Sequence, residues 1–234
     1  MRRIGLFAVD SSRSRAYLLA LINHDLLPAH AVYLTGGPGA QPPSFPAVPY
    51  FDNSIPVLRT IQELAIPCEV VDTDDVNSPE VVEAVRKSPV DVFIYSGPGG
   101  AILRRDILQS GKRFLHVHPG LVPRFRGSTT VYYSLLVDGE CGASATFLEK
   151  QIDVGPVLAT RVYPPPADRT TIDYGYDPYI RSDLLVLVLK DYQKTDEFHM
   201  EPQSGQSEEN YYIMHSVLRH VAILSKRGSE AGTG

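Results

Sequence analysis

The stretch that decides the fold runs Phe114-Leu115-His116-Val117-His118-Pro119-Gly120-Leu121-Val122-Pro123-Arg124-Phe125-Arg126-Gly127. The apolar pair Phe114-Leu115 reads as the end of a buried strand. Along a strand, side chains two apart share a face, so His116 and His118 point the same way. Pro119 stops the strand because it cannot donate to the ladder. Two imidazoles are therefore expected together at a strand end, where open α/β sheets place their ligands. Further on, Ile152-Asp153-Val154-Gly155-Pro156-Val157 carries Asp153 as its one acid.

Outward from that stretch the chain alternates strand and helix. Ile4–Val9 reads as a buried strand, and Asp10-Ser11-Ser12 supplies N-cap residue types for a helix over Ser14–Asn23. Ala31–Leu34 is a second strand, and the proline- and glycine-rich Gly36–Pro49 a loop. A helix over Ile55–Leu64, a strand over Glu69–Val71 and a helix over Pro79–Arg86 follow. Val90–Tyr95 is almost continuously apolar, as in a parallel sheet covered on both faces. After the histidines come a helix start at Thr129–Leu136, strands over Gly142–Leu148 and Pro156–Tyr163, and a buried helix from Asp177-Pro178 through Leu184–Leu189. Thr195–Asn210 reads as an exposed loop and Tyr211–Leu224 as the last ordered element. The expected fold is α/β: a doubly wound, mainly parallel sheet with helices on both faces and a short α-rich C-terminal extension. The expected division is 1–165 as catalytic domain, 166–225 as an extension packed on it, and 226–234 as a disordered tail.

Composition narrows the function. With 234 residues, 43% hydrophobic and 21% charged, the chain is of ordinary globular type. A formal charge of -5 argues against a general binder of nucleic-acid backbones. No stretch reaches the roughly 18 apolar residues of a membrane span. Met1-Arg2-Arg3 before Ile4–Val9 imitates a signal peptide, but the apolar run is short and ends at Asp10. The two cysteines, Cys68 and Cys141, suggest neither a disulfide framework nor a zinc knuckle. A reduced, cytoplasmic setting is the expectation.

His118-Pro119-Gly120-Leu121-Val122-Pro123, Arg126-Gly127 and Asp153-Val154-Gly155-Pro156-Val157-Leu158 together resemble the catalytic signature of the folate-dependent formyltransferases. That family includes glycinamide ribonucleotide transformylases, methionyl-tRNA formyltransferases and sugar N-formyltransferases. Its pattern is Asn-x-His-Pro-Ser-Leu-Leu-Pro, an Arg-Gly or Pro-Gly, and a later Asp-x-Gly. His118 and Asp153 fall on the family histidine and aspartate. His116 stands where the family has asparagine, and Gly120 where it usually has serine. The resemblance is good from about Val90 to Val162. It implies transfer of a formyl group from 10-formyl-tetrahydrofolate to a small-molecule amine, with His118, Asp153 and His116 catalytic. It also implies a folate pocket lined by Ser96, Gly97, Gly99, Gly100, Ile102 and Leu103 in SGPGGAIL, and by Ile152, Val154 and Gly155.

The residue types suit that chemistry. Formyl transfer passes through a tetrahedral intermediate, which needs a donor aimed at its oxyanion and a group to manage the amine proton. His118 can do either, with Asp153 raising its pKa and fixing its tautomer. In the family the asparagine donates to the oxyanion, and His116 can donate through a ring N–H. Ser11 and Arg13, at the start of the first helix, form a candidate anion site, beside the plainer reading of an N-cap with solvated arginines. Arg124 and Arg126 are further candidates for the acceptor. Family members that bind a ribonucleotide carry a glycine-rich turn after the first strand, and no glycine lies between Gly5 and Gly36. The long C-terminal domain by which relatives hold tRNA is not recognisable either. A nucleotide-linked amino sugar is thus the expected acceptor; a homodimer is left open. No metal belongs to this reading. Two others stand beside it: a metal-dependent enzyme with His116, His118 and Asp153 as ligands, and an inactive folate- or nucleotide-binding homologue.

Overall fold

A computed structural model of the chain describes residues 3–40, 44–203 and 210–225. The predicted tail, 226–234, lies outside them, as does part of the predicted loop, 204–209. The strands are β1 (Ile4–Val9), β2 (His30–Leu34), β3 (Cys68–Val71), β4 (Val92–Ser96), β5 (Arg113–His118), β6 (Arg126–Gly127), β7 (Cys141–Phe147), β8 (Val157–Tyr163) and β9 (Asn210–Tyr211). The helices are α1 (Ser12–Asn23), α2 (Val57–Glu63), α3 (Pro79–Lys87), α4 (Arg105–Leu108), α5 (Thr130–Val137), α6 (Asp177–Thr195) and α7 (Ser216–Leu224). A π-helical turn, Ile172–Tyr176, leads into α6.

Seven strands form one sheet in the order β3-β2-β1-β4-β5-β7-β8. The first five run parallel, and β7 and β8 are antiparallel additions beside β5. The order reverses between β1 and β4, so their carboxyl ends open the crevice where such sheets bind ligands.

Alternation along the strands builds two cores. Ile4, Leu6, Ile94, Leu115 and Val117 pack with Tyr17, Leu18 and Leu21 of α1, Val57 and Ile61 of α2, and Leu184, Leu185 and Leu189 of α6. Phe7, Phe93, Tyr95 and Phe114 face the other way, against Val81, Val82 and Val85 of α3 and Ile107 of α4. Each buried valine or leucine contributes roughly 1.5–3 kcal/mol relative to exposure. Ser11 caps α1 by accepting from the Ser14 N–H, and Ser78 caps α3 by accepting from that of Val81. α6 packs on α1, β5, β7 and β8, so residues beyond 165 share the main core.

The predicted doubly wound sheet is the observed one. Two expectations at the C-terminal end need correction. Tyr211–Leu224 is not one element: a two-residue strand pairs with β6, Tyr212 and Ile213 are exposed, and α7 begins at Ser216. Nor is all of Thr195–Asn210 solvated. Glu201 forms a β-bridge with Val157, and Gln203 folds back onto the Asp153 turn. Composition read this stretch as polar and hence exposed; its polar groups in fact satisfy backbone groups elsewhere.

Candidate active site

The carboxyl end of β5 lies between β4 and β7, with His116 opposite Thr146 and His118 opposite Ser144. The chain then turns through Pro119–Phe125 over the sheet. Ser144 on β7 holds this turn, its hydroxyl donating to the Gly120 carbonyl at 2.7 Å and accepting from the Val122 N–H at 3.1 Å. A Cβ on Gly120 would sit 2.7 Å from the Phe125 carbonyl oxygen and 3.0 Å from His118 Nε2. Glycine therefore replaces the family serine where the backbone closes on the imidazole.

His118 is 2% exposed, and both its ring nitrogens face protein groups. Nε2 lies 2.6 Å from the Phe125 carbonyl oxygen and 3.2 Å from Thr130 Oγ1, whose hydroxyl donates to the Pro119 carbonyl. A carbonyl only accepts, so Nε2 carries the hydrogen. Nδ1 faces Asp153 Oδ2 at 3.4 Å. Burial lowers the His118 pKa below its ordinary value, outweighing the opposite pull of Asp153 and of the Phe125 carbonyl.

Asp153 is 8% exposed and sits in a left-handed turn, φ 54°. Its Oδ2 also accepts from the Gly127 N–H at 2.8 Å. Two residues on, a Cβ at Gly155 would stand 1.8 Å from the Phe147 carbonyl oxygen, so only glycine fits beneath the turn.

His116 is half-buried beside Tyr95, with ring centroids 6.1 Å apart and its ring 6.4 Å from that of His118. Its Nδ1 is buried and has no hydrogen-bond partner among the described residues. Burial holds its pKa well below 6.5, and the positive charges of Arg181 and Arg13 act in the same direction. At neutral pH it is a neutral imidazole. Ligand atoms of His116, His118 and Asp153 all lie within 4.8 Å of one another.

The other predicted residues divide. Arg13 reaches from α1 across the switch point, its Nε 3.2 Å from Ser96 Oγ and its Nη2 on the Gly97 carbonyl. Burial, with Arg181 nearby, lowers its pKa to about 10. Ser11 serves as the N-cap. Arg124 pairs with Asp138 at 2.8 Å on the exposed surface, and Arg126 donates to Gln203. Ser96 is fully buried, its hydroxyl 2.8 Å from that of Ser14. In the loop after β4, Gly99 and Gly100 border open space, and a Cβ on Gly97 would enter the Tyr95 ring. The expected Ile102-Leu103 pair is split: Ile102 is 56% exposed, while Leu103, 6% exposed, belongs to the core under α3 and α4. Ile152 is exposed, Val154 half-buried and Gly155 buried.

Two features escaped the sequence. Gln203 Nε2 donates to the carbonyls of Asp153 at 2.8 Å and Gly155 at 2.9 Å, and its Oε1 accepts from Arg126 Nε at 3.1 Å. A glutamine fifty residues downstream carries no local signal for this brace. The second feature is Asp177 and Arg181 on α6, the arginine buried, the aspartate half-buried, and the two 3.2 Å apart. An acid and a base four apart at the start of a helix were the available sign.

The fold and site define a doubly wound α/β protein with a buried histidine–carboxylate pair at the end of a central strand. The formyl transferase family model matches residues 51–174, and the chain belongs to that family. A methionyl-tRNA formyltransferase of Roseiflexus castenholzii is 31% identical over 140 residues, covering 58% of this chain and 44% of that protein. One from Finegoldia magna is 27% identical over 178 residues, covering 72% and 53%. The chain thus spans about half the length of these curated relatives. A sugar N-formyltransferase from a Shewanella species shares the fold with TM-score 0.59 at 14% identity, covering 96% of this chain and 87% of that one. A phosphoribosylglycinamide formyltransferase from Bacillus halodurans superposes with TM-score 0.60 at 18% identity, covering 83% and 97%. Among the described residues no helix is long and apolar enough to cross a membrane.

Proposed function

We propose that the protein transfers a formyl group from 10-formyl-tetrahydrofolate, the donor used by members of its family, to the amine of a small acceptor. The observation that carries this reading is the buried His118–Asp153 pair beside half-buried His116 at the carboxyl end of β5. The amine attacks the formyl carbon, an N–C bond forms, and the carbonyl oxygen gains negative charge. His116 touches that oxygen, donating the N–H of its outward Nε2; a neutral imidazole suffices as donor. Asp153 accepts the amine proton through Oδ1, the oxygen that does not face His118. The C–N10 bond then breaks, the carbonyl re-forms, and the proton passes to N10 of tetrahydrofolate. His118 is a positioning residue: both its nitrogens face protein groups, so it acts beside Asp153 rather than by touching substrate.

The donor lies over the open backbone of Gly99–Gly100 and against Ile102, Ile152 and Val154. Ser96, Gly97, Leu103 and Gly155 shape that pocket from below rather than contacting the ligand. Arg13 faces the acceptor at the switch-point crevice. The acceptor is a nucleotide-linked amino sugar, a reading supported by the net charge of -5, which disfavours tRNA, and by Arg13 as a partner for phosphate. Turnover of 10-formyl-tetrahydrofolate with a panel of such sugars, against glycinamide ribonucleotide and methionyl-tRNA, tests it. Release of tetrahydrofolate with an amino sugar alone is the expected result. Transfer to one of the others would reassign the acceptor, and release with none would overturn the activity.

A further inference from the structure

The roles proposed above use outward atoms, His116 Nε2 and Asp153 Oδ1. The inward atoms remain, and they share one property. His118 Nε2 carries the hydrogen because its nearest partner is the Phe125 carbonyl, so in the neutral ring Nδ1 presents a lone pair. That lone pair faces a carboxylate oxygen, Asp153 Oδ2, at 3.4 Å. If His116 donates from Nε2, its Nδ1 is a lone pair too, and that atom is buried without a partner among the described residues. One ligand atom from each of the three residues lies within 4.8 Å of the others. The Gly127 N–H donates to Asp153 Oδ2, and the positive charges of Arg181 and Arg13 act on the same site. Buried acceptors without a direct donor are costly, and a coordinated cation would satisfy them.

We propose that His116, His118 and Asp153 hold a divalent transition-metal ion of the zinc class. Two imidazoles and one carboxylate form a known donor set for zinc, with a fourth position left open. Ligands about 2.0–2.1 Å from a tetrahedral ion stand about 3.3 Å from each other. The His118 Nδ1 to Asp153 Oδ2 separation of 3.4 Å matches that spacing. Ligand atoms of all three residues lie within 4.8 Å of one another, so the set closes by about 1.5 Å at most to reach the same spacing. The outer shell is also in place. Metal-bound histidines characteristically donate their other N–H to a carbonyl or carboxylate, as His118 does to Phe125, and ligating carboxylates accept from neighbouring donors, as Asp153 does from Gly127. An ion here would supply a Lewis acid at its open position. The asparagine expected at position 116 from the family pattern is a poor metal ligand, so this chemistry would belong to chains with histidine there.

The inference rests on the proposed reaction only for the tautomer of His116, and its test does not depend on turnover. Protein purified without a histidine tag or chelators is analysed for metals, then stripped and titrated with Co(II) as a spectroscopic probe. The expected result is one ion per chain, visible d–d bands of a four- or five-coordinate site, and a rise in melting temperature. His116→Asn should weaken Co(II) binding about a hundredfold or more while still binding 5-formyl-tetrahydrofolate, which shows that it is folded. Wild-type protein that holds no metal and gives no saturable Co(II) signal would overturn the site. So would His116→Asn binding Co(II) as tightly as wild type. If metal binding fails but the folate analogue still binds, the formyl-transfer reading stands. If metal binds and the analogue does not, that reading falls and the metal site remains.

Discussion

The two strand ends that flank the crevice, those of β4 and β5, are built in opposite ways. After β5, neighbours hold the turn and the catalytic pair: the Phe125 carbonyl on His118, the Gly127 N–H on Asp153, the Ser144 hydroxyl on the turn. The glycine there, Gly120, is pressed against backbone and imidazole. After β4, a Cβ added at Gly99 or Gly100 would meet nothing within 4 Å among the described residues, and Ile102 is largely exposed. A reacting centre must be held in one geometry, whereas a loop receiving a flat, polar ligand needs free backbone and room. The same residue type, glycine, serves close packing at one end and open access at the other.

The contrast breaks most severely if the packed end tolerates change. Asp153→Asn and His118→Ala should each lower turnover about a thousandfold or more without unfolding the chain, and the double variant should be little worse than either, because the pair acts as a unit. Steady-state kinetics with circular dichroism as a folding control checks this. Near wild-type turnover in either single variant would remove the pair from the reaction. Next in size is the brace. Gln203→Ala leaves the Asp153 and Gly155 carbonyls without their side-chain donor, which costs about 1–3 kcal/mol per buried group. Its kcat should fall about tenfold or more with KM little changed, since the brace fixes Asp153 rather than substrate. An unchanged kcat would show that the turn holds itself.

The glycines sharpen the comparison directly. Gly120→Ser, which restores the expected family residue, places its Cβ 2.7 Å from the Phe125 carbonyl oxygen. It should destabilise the protein by about 1–3 kcal/mol, the usual cost of overpacking. Gly99→Ala meets open space at a φ outside the left-handed region and should change stability by no more than about 0.5 kcal/mol. It should still weaken folate-analogue binding several-fold by intruding on the ligand. Thermal melts and calorimetry on both variants read the difference, and equal stability losses would erase it.

Much of this was legible in the sequence because local signals agreed. Apolar runs such as Val92–Tyr95, N-cap serines before α1 and α3, and Pro119 after the histidines each follow from short-range sterics and hydrogen bonding. His118 and Asp153 could be paired because two motifs at a set separation pointed to one fold. What stayed hidden depends on long-range closure. Gln203 acts at a distance of fifty residues from Asp153, so no periodicity or spacing reveals it. Ile102 and Leu103 look equivalent in sequence, yet the register after β4 sends one to solvent and the other into the core. Arg124 and Arg126 are acceptor candidates in the sequence, and in the fold they engage Asp138 and Gln203. Ser11 fits both an anion site and an N-cap in the sequence, and in the fold its hydroxyl accepts from the Ser14 N–H as a cap does.

The measurement that bears most directly on the proposed function is calorimetric titration of the wild-type chain with 5-formyl-tetrahydrofolate, a stable stand-in for the 10-formyl donor. The expected result is saturable heat with one site per chain, reduced in Gly99→Ala and retained in Asp153→Asn. Absence of heat and of thermal stabilisation at millimolar ligand would contradict a folate-dependent formyltransferase.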